Sequence, residues 1–358
     1  AQPYRIELSL NLLVVLLLAT TLIGYFLVRL AVITVRLPGE VREFRARRRR
    51  EKALRGMLDG LKAFFEGSYA KAQKASAAAL ELEKSPTISA INAMVAARSA
   101  HELKKYSQRD EFLALAERNA PKETTLRLMT QAELLLDEHR SEDALKVLHL
   151  LPVTGSRGYP AALRLELEAQ QRAKNWNAVL ELLSQLEQRK AIDAALLRQL
   201  RRRAHMENLK NSTSNPQALK AYWQSMTPGD RNDSKLAGVA AQAYLSMNDC
   251  AAAHEIIEQS LDQRWDSELA KLYAECVTGG TVRQIERAEA WLEAHPDDAC
   301  LLLALGRLCL HCELWGKAQN YLEASLSMEP DYPAHLALAE LNEKLGRPEL
   351  AKNHYDQG

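Results

Sequence analysis

The sequence predicts an all-α chain in which an N-terminal transmembrane helix is followed by a tetratricopeptide-like α-solenoid. Three observations lead there. Apolar residues make up 47% of the 358 residues while glycine and proline number only 15 and 12, a helical composition. No long run alternates apolar with polar residues as a half-buried strand would. Residues 299–330 place small and apolar side chains at the intervals of a helix-pair repeat of about 34 residues.

The first element is the anchor. From Leu8 to Val28 no residue is charged, and 21 residues of helix span about 31 Å, close to the hydrocarbon thickness. A cleaved signal peptide would need a basic start and a small-residue cleavage site, which are not there. Arg29 interrupts the apolar stretch, with its guanidinium placed to snorkel toward the headgroups, and Leu30 to Val35 resume it. Pro38-Gly39 then predicts an interruption of the helix. Beyond it stand Arg42, Arg45, Arg47, Arg48, Arg49 and Arg50, whereas the other flank is neutral, so the positive-inside rule puts the large C-terminal body in the cytoplasm. These cations set topology and make unspecific contact with lipid headgroups. Ala1 in place of methionine predicts that the natural beginning lies upstream, with room for a second membrane segment.

The repeats come next. The clearest unit runs from Ala299 to Pro330, with Leu302, Leu305, Gly306, Ala318, Leu322 and Leu326 in register. Gly306 and Ala318 are expected where its two helices cross, because larger side chains would hold them apart. Gly60 with Tyr69, Ala72 and Ala79 fits a first unit; Leu128, Leu135, Ala144 and Leu148 fit another. Asn175-Trp176-Asn177 reads as a turn between paired helices. Tyr244, Asn248-Asp249, Ala253 and Ile257 repeat the pattern, and residues 336–355 make a last pair around Leu345-Gly346-Arg347-Pro348. Polar or glycine-rich breaks at 211–216, 227–230 and 278–280 mark turns. The expected division is an anchor with its basic cytoplasmic boundary at 1–52 and two helical-repeat segments at 53–210 and 211–358.

Charge narrows the partners. The net charge of +1 hides nine Arg and Lys against three Glu in residues 36–55, which leaves the body beyond them acidic. Nucleic acid, which needs a basic face, is not expected as a partner. Five cysteines, all between 250 and 312, are an odd number in a chain placed in the cytoplasm, and they predict reduced thiols.

The chain resembles the HemY-type proteins of proteobacterial inner membranes. The resemblance begins with Tyr4-Arg5-Ile6-Glu7 ahead of the apolar helix and continues through the arginine run and FFEGSYAKA. It is most specific in QRWD at 263–266 with Leu272-Tyr273, and in residues 288–326. It implies two membrane helices, the first before Ala1, and a cytoplasmic repeat domain acting in protohaem formation, with no established catalytic motif. The family name is shared with an unrelated flavin-dependent oxidase. That reading fails, because the sequence has no strand followed by G-x-G-x-x-G and a helix.

Among residues with ligand chemistry, Cys309, His311 and Cys312 form the one local cluster. Cysteine and histidine suit zinc or haem iron. The cluster has no partner cluster, and Glu313 stands where haem attachment needs histidine. Cys309 also falls at a position where a repeat buries an aromatic residue, so a core role is expected over a haem or metal site. His101, His139, His149, His205, His254, His295, His335 and His354 form no ligand motif. Arg198, Arg201, Arg202 and Arg203 read as a solvated helix surface, and Trp176, Trp223, Trp265, Trp291 and Trp315 as packing anchors.

No nucleophile, cofactor fingerprint or acid-base pair is recognisable, so an enzyme is not expected and no cofactor is predicted. The expected function is a membrane-anchored scaffold or regulator of a late step of protohaem formation, with late haem-biosynthesis enzymes and membrane lipids as partners. The alternatives are a haem- or porphyrin-binding sensor and a general inner-membrane adaptor.

Overall fold

The computed structural model describes residues 10–82, 85–151, 158–277 and 280–358, without the side chains of residues 31, 33–43 and 45. Tyr4 to Glu7 and the side chains of Arg42 and Arg45 lie outside the described residues. Every described element of regular structure is helical.

The first helix, α1, spans Leu10–Phe65. Its apolar stretch Leu10–Leu30 is long enough to cross a membrane and none of it is buried by the rest of the chain. In water such a surface would be costly at about 25 cal/mol per Å². The interruption expected at Pro38-Gly39 is absent: α1 runs through both. A proline inside a helix costs about 3 kcal/mol, which long flanking helix on both sides can absorb. The apolar stretch is therefore not a separate piece, because α1 itself becomes the first helix of the first pair. Ala53, Gly60 and Ala63 on α1 are buried against α2 (Tyr69–Leu82), which brings Ala72, Ser76 and Ala79. A Cβ added to Gly60 would collide with the Ser76 hydroxyl, and one on Gly56 would meet the Ala79 methyl at 3.1 Å.

The packing divides the chain into two compact units, Ala1–Ala173 and Lys174–Gly358. The division thus falls earlier than the polar segment at 211–216, which is a turn inside the second unit. In the first unit α3 (Pro86–Glu102), α4 (Tyr106–Asn119), α5 (Thr124–Asp137), α6 (Ser141–His149) and α7 (Pro160–Arg172) come after α2. Each helix packs on its neighbours in sequence, and α1, α3, α5 and α7 also pack in a row. This two-step neighbour relation is that of stacked helix pairs in a solenoid. The α3/α4 pair carries none of the positions read as repeat signatures. It packs through Ala93, Ala96, Ala97 and Ala100, all fully buried.

The second unit holds α8 (Trp176–Gln188), α9 (Ala194–Asn211), α10 (Pro216–Ser225), α11 (Pro228–Arg231), α12 (Ser234–Ser246) and α13 (Cys250–Gln263). After these come α14 (Ser267–Leu272), α15 (Thr281–Ala294), α16 (Ala299–His311), α17 (Trp315–Met328), α18 (Tyr332–Lys344) and α19 (Pro348–Gln357). Here α9, α12, α14, α16 and α18 form the row. The expected break at 227–230 is occupied by the short α11. Gly306 on α16 is where a side chain cannot fit: a Cβ there would lie 2.5 Å from Leu322 of α17. Its tight neighbour is therefore Leu322. Ala318 is fully buried on the same helix.

Two local devices recur. At six of the turns the first helix of a pair ends on a left-handed residue: Gly67, Lys104, His139, Asn248, Glu313 and Gly346 all have φ between 58° and 76°. The next residue's N–H returns to the carbonyl five positions back, as in Asp249 to Tyr244 at 3.0 Å and Leu314 to Cys309 at 2.9 Å, which closes a Schellman turn. The second device is a run of aspartates at the starts of row helices: Asp233, Asp266, Asp298 and Asp331. The first three accept from the preceding row helix, respectively from Arg202 Nε (2.6 Å), Ser234 Oγ (2.6 Å) and Ser267 Oγ, while Asp331 accepts from Lys271 Nζ of α14, two row helices back (3.4 Å).

The expectation of reduced thiols throughout is corrected at one place. Cys250, at the start of α13, and Cys276, after α14, are joined as a disulfide with Cα atoms 5.7 Å apart, while Cys300, Cys309 and Cys312 are free. The odd count carried no information on this pair, which lies far apart in sequence and is brought together by the packing of α13 on α14.

Candidate functional site

The row helices of the second unit present a groove. A cavity of about 370 Å³ lies across α9, α12 and α14. Met206, Val239, Leu269 and Leu272 give it apolar walls. Gln242, Lys235, Lys271, Asp266 and Glu268 stand around them. Lys235 lies 3.5 Å from Asp266 and Lys271 is 3.4 Å from Asp331, so both cations are already paired within the protein. Burial works against ionising Asp266, but the Ser234 hydroxyl and the Lys235 charge outweigh it and hold its carboxyl below the usual range. A mixed apolar and charged trough of this kind suits an extended or helical peptide segment, whose side chains alternate in the same way.

Beside it, a larger cavity of about 500 Å³ is lined by Trp265, Ser267, His295, Asp298, Cys300 and Met328 among others. Trp265 stacks on the His295 ring, 4.0 Å between centroids and 18° from parallel. Its indole N–H donates to Asp298 Oδ2 at 2.8 Å, while Asp298 Oδ1 caps α16 by accepting from the Leu301 N–H at 2.9 Å. The segments QRWD and HPDD, both within the stretches that carry the family resemblance, therefore meet. Their residues lock one repeat to the next. Trp265 and Asp298 are functional in that structural sense, and the recurrence of Asp233, Asp266, Asp298 and Asp331 at intervals of 32 to 33 residues is a sequence signal that could have found Asp298.

Behind the row lies a buried polar knot. Tyr273 is fully buried, and its hydroxyl donates to Glu258 Oε1 at 2.6 Å. Burial and the Glu258 carboxylate push the phenol far up. His254 Nε2 is 3.1 Å from the Cys276 carbonyl and 2.9 Å from Gln284 Nε2. Burial pushes the imidazole pKa down, which favours the neutral ring.

The residues singled out from sequence do not converge on one site. Cys309 is fully buried in the core, His311 is exposed and Cys312 half-buried. Burial pushes the Cys309 thiol up to about 11, so the thiolate a metal would need is scarce at neutral pH. The segment Cys309-Leu310-His311-Cys312 is the last turn of α16, with Cys312 as its C-cap. Among the described residues no three His, Cys, Asp or Glu are grouped to hold a metal ion. Arg201 pairs with Glu187, Arg202 with Asp233, and Arg203 lies over the Trp176 ring, so these α9 arginines tie helices together. His335 and His354, distant in sequence, meet with their Nδ1 atoms 3.2 Å apart. Arg29 donates to the Tyr25 hydroxyl at 3.3 Å on the exposed surface of α1, and Arg47 to Arg50 are exposed. Ala72, Ala144, Ala253 and Ala318 are fully buried at the helix pairs, and Pro330 is exposed in the turn before α18.

A membrane-length apolar helix that continues into stacked helix pairs with Schellman turns defines a tetratricopeptide-like repeat protein. Residues 1–104 match the family model described as HemY protein N-terminus. That match supports, over the first 104 residues, the HemY-type resemblance seen in the sequence. No curated protein matches it. Among solved structures it is similar to the APC/C hetero-tetramer Cut9-Hcn1, at 17% identity over 84% of this chain and 64% of that chain, with a TM-score of 0.34. It is similar also to yeast Tom70, at 12% identity over 86% of this chain and 68% of that one, with a TM-score of 0.33. The chain thus spans just under two thirds of the first of these. At such scores the fold rests on the helix pairs themselves.

Proposed function

We propose that this protein is a non-enzymatic scaffold or regulator of late protohaem formation, anchored in the bacterial inner membrane by residues 10–30 with its repeats in the cytoplasm. The observation that carries this reading is the groove across α9, α12 and α14, apolar on its walls and ringed by both charges, in a chain whose first helix is apolar enough to span a bilayer. The haem connection comes from the HemY-type N-terminus. The arginines after the span supply the orientation by the positive-inside rule.

The mechanism is proximity. An enzyme held in the groove is confined to the membrane surface where hydrophobic porphyrins partition, and its effective concentration toward the next enzyme rises without any contact between the scaffold and the porphyrin. Late haem-biosynthesis enzymes are the partners this reading names. Purifying the full chain from membranes in mild detergent tests it. Such enzymes are expected to accompany the wild type and to be lost from Val239→Glu with Leu272→Glu. Their absence from the wild type would contradict the reading.

A further inference from the structure

Helix α1 packs on α2 and α3 with its small residues inward, Ala53, Gly56, Gly60 and Ala63, and turns its large ones outward. Leu54, Leu58 and Phe65 are 46%, 56% and 83% exposed, and Phe44 is 65% exposed. Stacked repeats ordinarily close their ends with a polar face, because the last helix has no neighbour to cover it. This end does the opposite. We propose that the outer stripe of α1 is the seam by which two copies of the chain pair, parallel and side by side in the membrane.

The spacing is that of a coiled-coil seam. Phe44, Leu58 and Phe65 fall on one heptad position and Leu54 and Leu61 on the other, and the first series continues into the span as Leu16, Ile23 and Leu30. Between Phe44 and Phe65 two polar residues fall in the stripe, Arg47 and Glu51, the latter 3.8 Å from Arg55 of its own helix. They carry opposite charges one turn apart, so in a parallel pair the Arg47 of one copy faces the Glu51 of the other. A polar layer of this kind fixes register and orientation at some cost in stability.

Geometry selects a second copy as the occupant. Span and stripe belong to one helix, so on an upright α1 Leu54 stands about 36 Å beyond Leu30 and Phe65 about 52 Å, the same in every copy. Two chains in one bilayer meet with their stripes at equal height and in parallel, and confinement to the membrane raises their effective concentration. The equal heights rest on the membrane-spanning reading of residues 10–30.

Two measurements on the full chain test the seam. In membranes, mild oxidation of a Leu58→Cys variant is expected to give a covalent dimer, and oxidation of Lys52→Cys or of the wild type is not. In detergent, light scattering is expected to give the mass of two wild-type chains and of one chain for Leu54→Glu with Leu58→Glu, with helical circular dichroism unchanged. A wild-type mass of one chain, a double variant of unaltered mass, or equal cross-linking at positions 58 and 52 would overturn the proposal. A wild type that is monomeric alone yet binds an acidic helical peptide through the stripe would overturn it in favour of a different protein as occupant. Release of the chain by alkaline carbonate would sink the membrane reading separately, since the mass in detergent still reports the pairing.

Discussion

Glu313 holds a backbone φ of 59° at the turn between α16 and α17, in the left-handed region that costs a non-glycine residue about 1–2 kcal/mol. Glycine removes that cost but loses part of the gain to its freer unfolded chain. Glu313→Gly is therefore expected to stabilise the second unit by about 0.5–1 kcal/mol, read as a higher urea midpoint with unchanged slope. The same turn explains what the sequence of 309–312 could and could not disclose. Its cysteines and histidine look like ligands when read as letters, yet their spacing is dictated by the end of a helix, with Cys309 inward and His311 outward. Burial of Cys309 was legible from its place in the repeat. The pairing of Cys250 with Cys276 was not, since no local spacing encodes it. Thiol labelling of the folded, unreduced chain is expected to modify Cys312 and Cys300 before Cys309, and Cys250 and Cys276 only after reduction. Rapid labelling of all five without reductant would contradict the pairing.

At the scale of elements, the contact between α16 and α17 is set by Gly306 beneath Leu322. Gly306→Val is expected to lower stability by about 1–3 kcal/mol through overpacking, seen as a drop in Tm, whereas the exposed Gly316→Ala is expected to have little effect or to stabilise. Asp298 both caps α16 and accepts from the previous repeat. Asp298→Ala is expected to cost about 1–2 kcal/mol. The glycine and alanine positions of the strongest unit were readable because close helix crossing admits few residue types. The aspartate ladder went unread, although its period is as regular, because a capping residue draws attention only once the helix starts are known. The α3/α4 pair stayed hidden for a different reason: alanines pack there without the spaced large and small contrast that marks a repeat. Pro38-Gly39 misled in the other direction, since composition predicts a break that the helix on either side overrides.

For the molecule as a whole, buried imidazoles give stability a pH dependence. Burial depresses the pKa values of His205 and His254 in the folded state, and the coulombic field of Arg201 also lowers His205 against the upward pull of Asp230. The unfolded chain takes up these protons from about pH 6.5 downward, before the folded one does, so stability is full above that pH and falls as pH drops through it. The urea midpoint at pH 5.5 is expected below that at pH 7.5, with a smaller difference in His254→Gln. The chain's all-helical class and the membrane-length helix were plain in composition and hydropathy, because both depend on sums over many residues. The division of the body was not, since it depends on which helices pack together and lies at Ala173, beside a turn that the sequence marks no more strongly than the others.

The row of α9, α12 and α14 is the proposed seat of a protein of the late haem pathway at the membrane. Site-specific photo-cross-linking in intact membranes tests it most directly, with the photoreactive side chain at Val239 in the groove or at the exposed Val282 on α15 as control. A discrete adduct is expected from Val239, identified by mass spectrometry as a late haem-biosynthesis enzyme and absent from Val282. The same adduct pattern from both positions, or adducts from Val239 that contain no enzyme of that pathway, would contradict it.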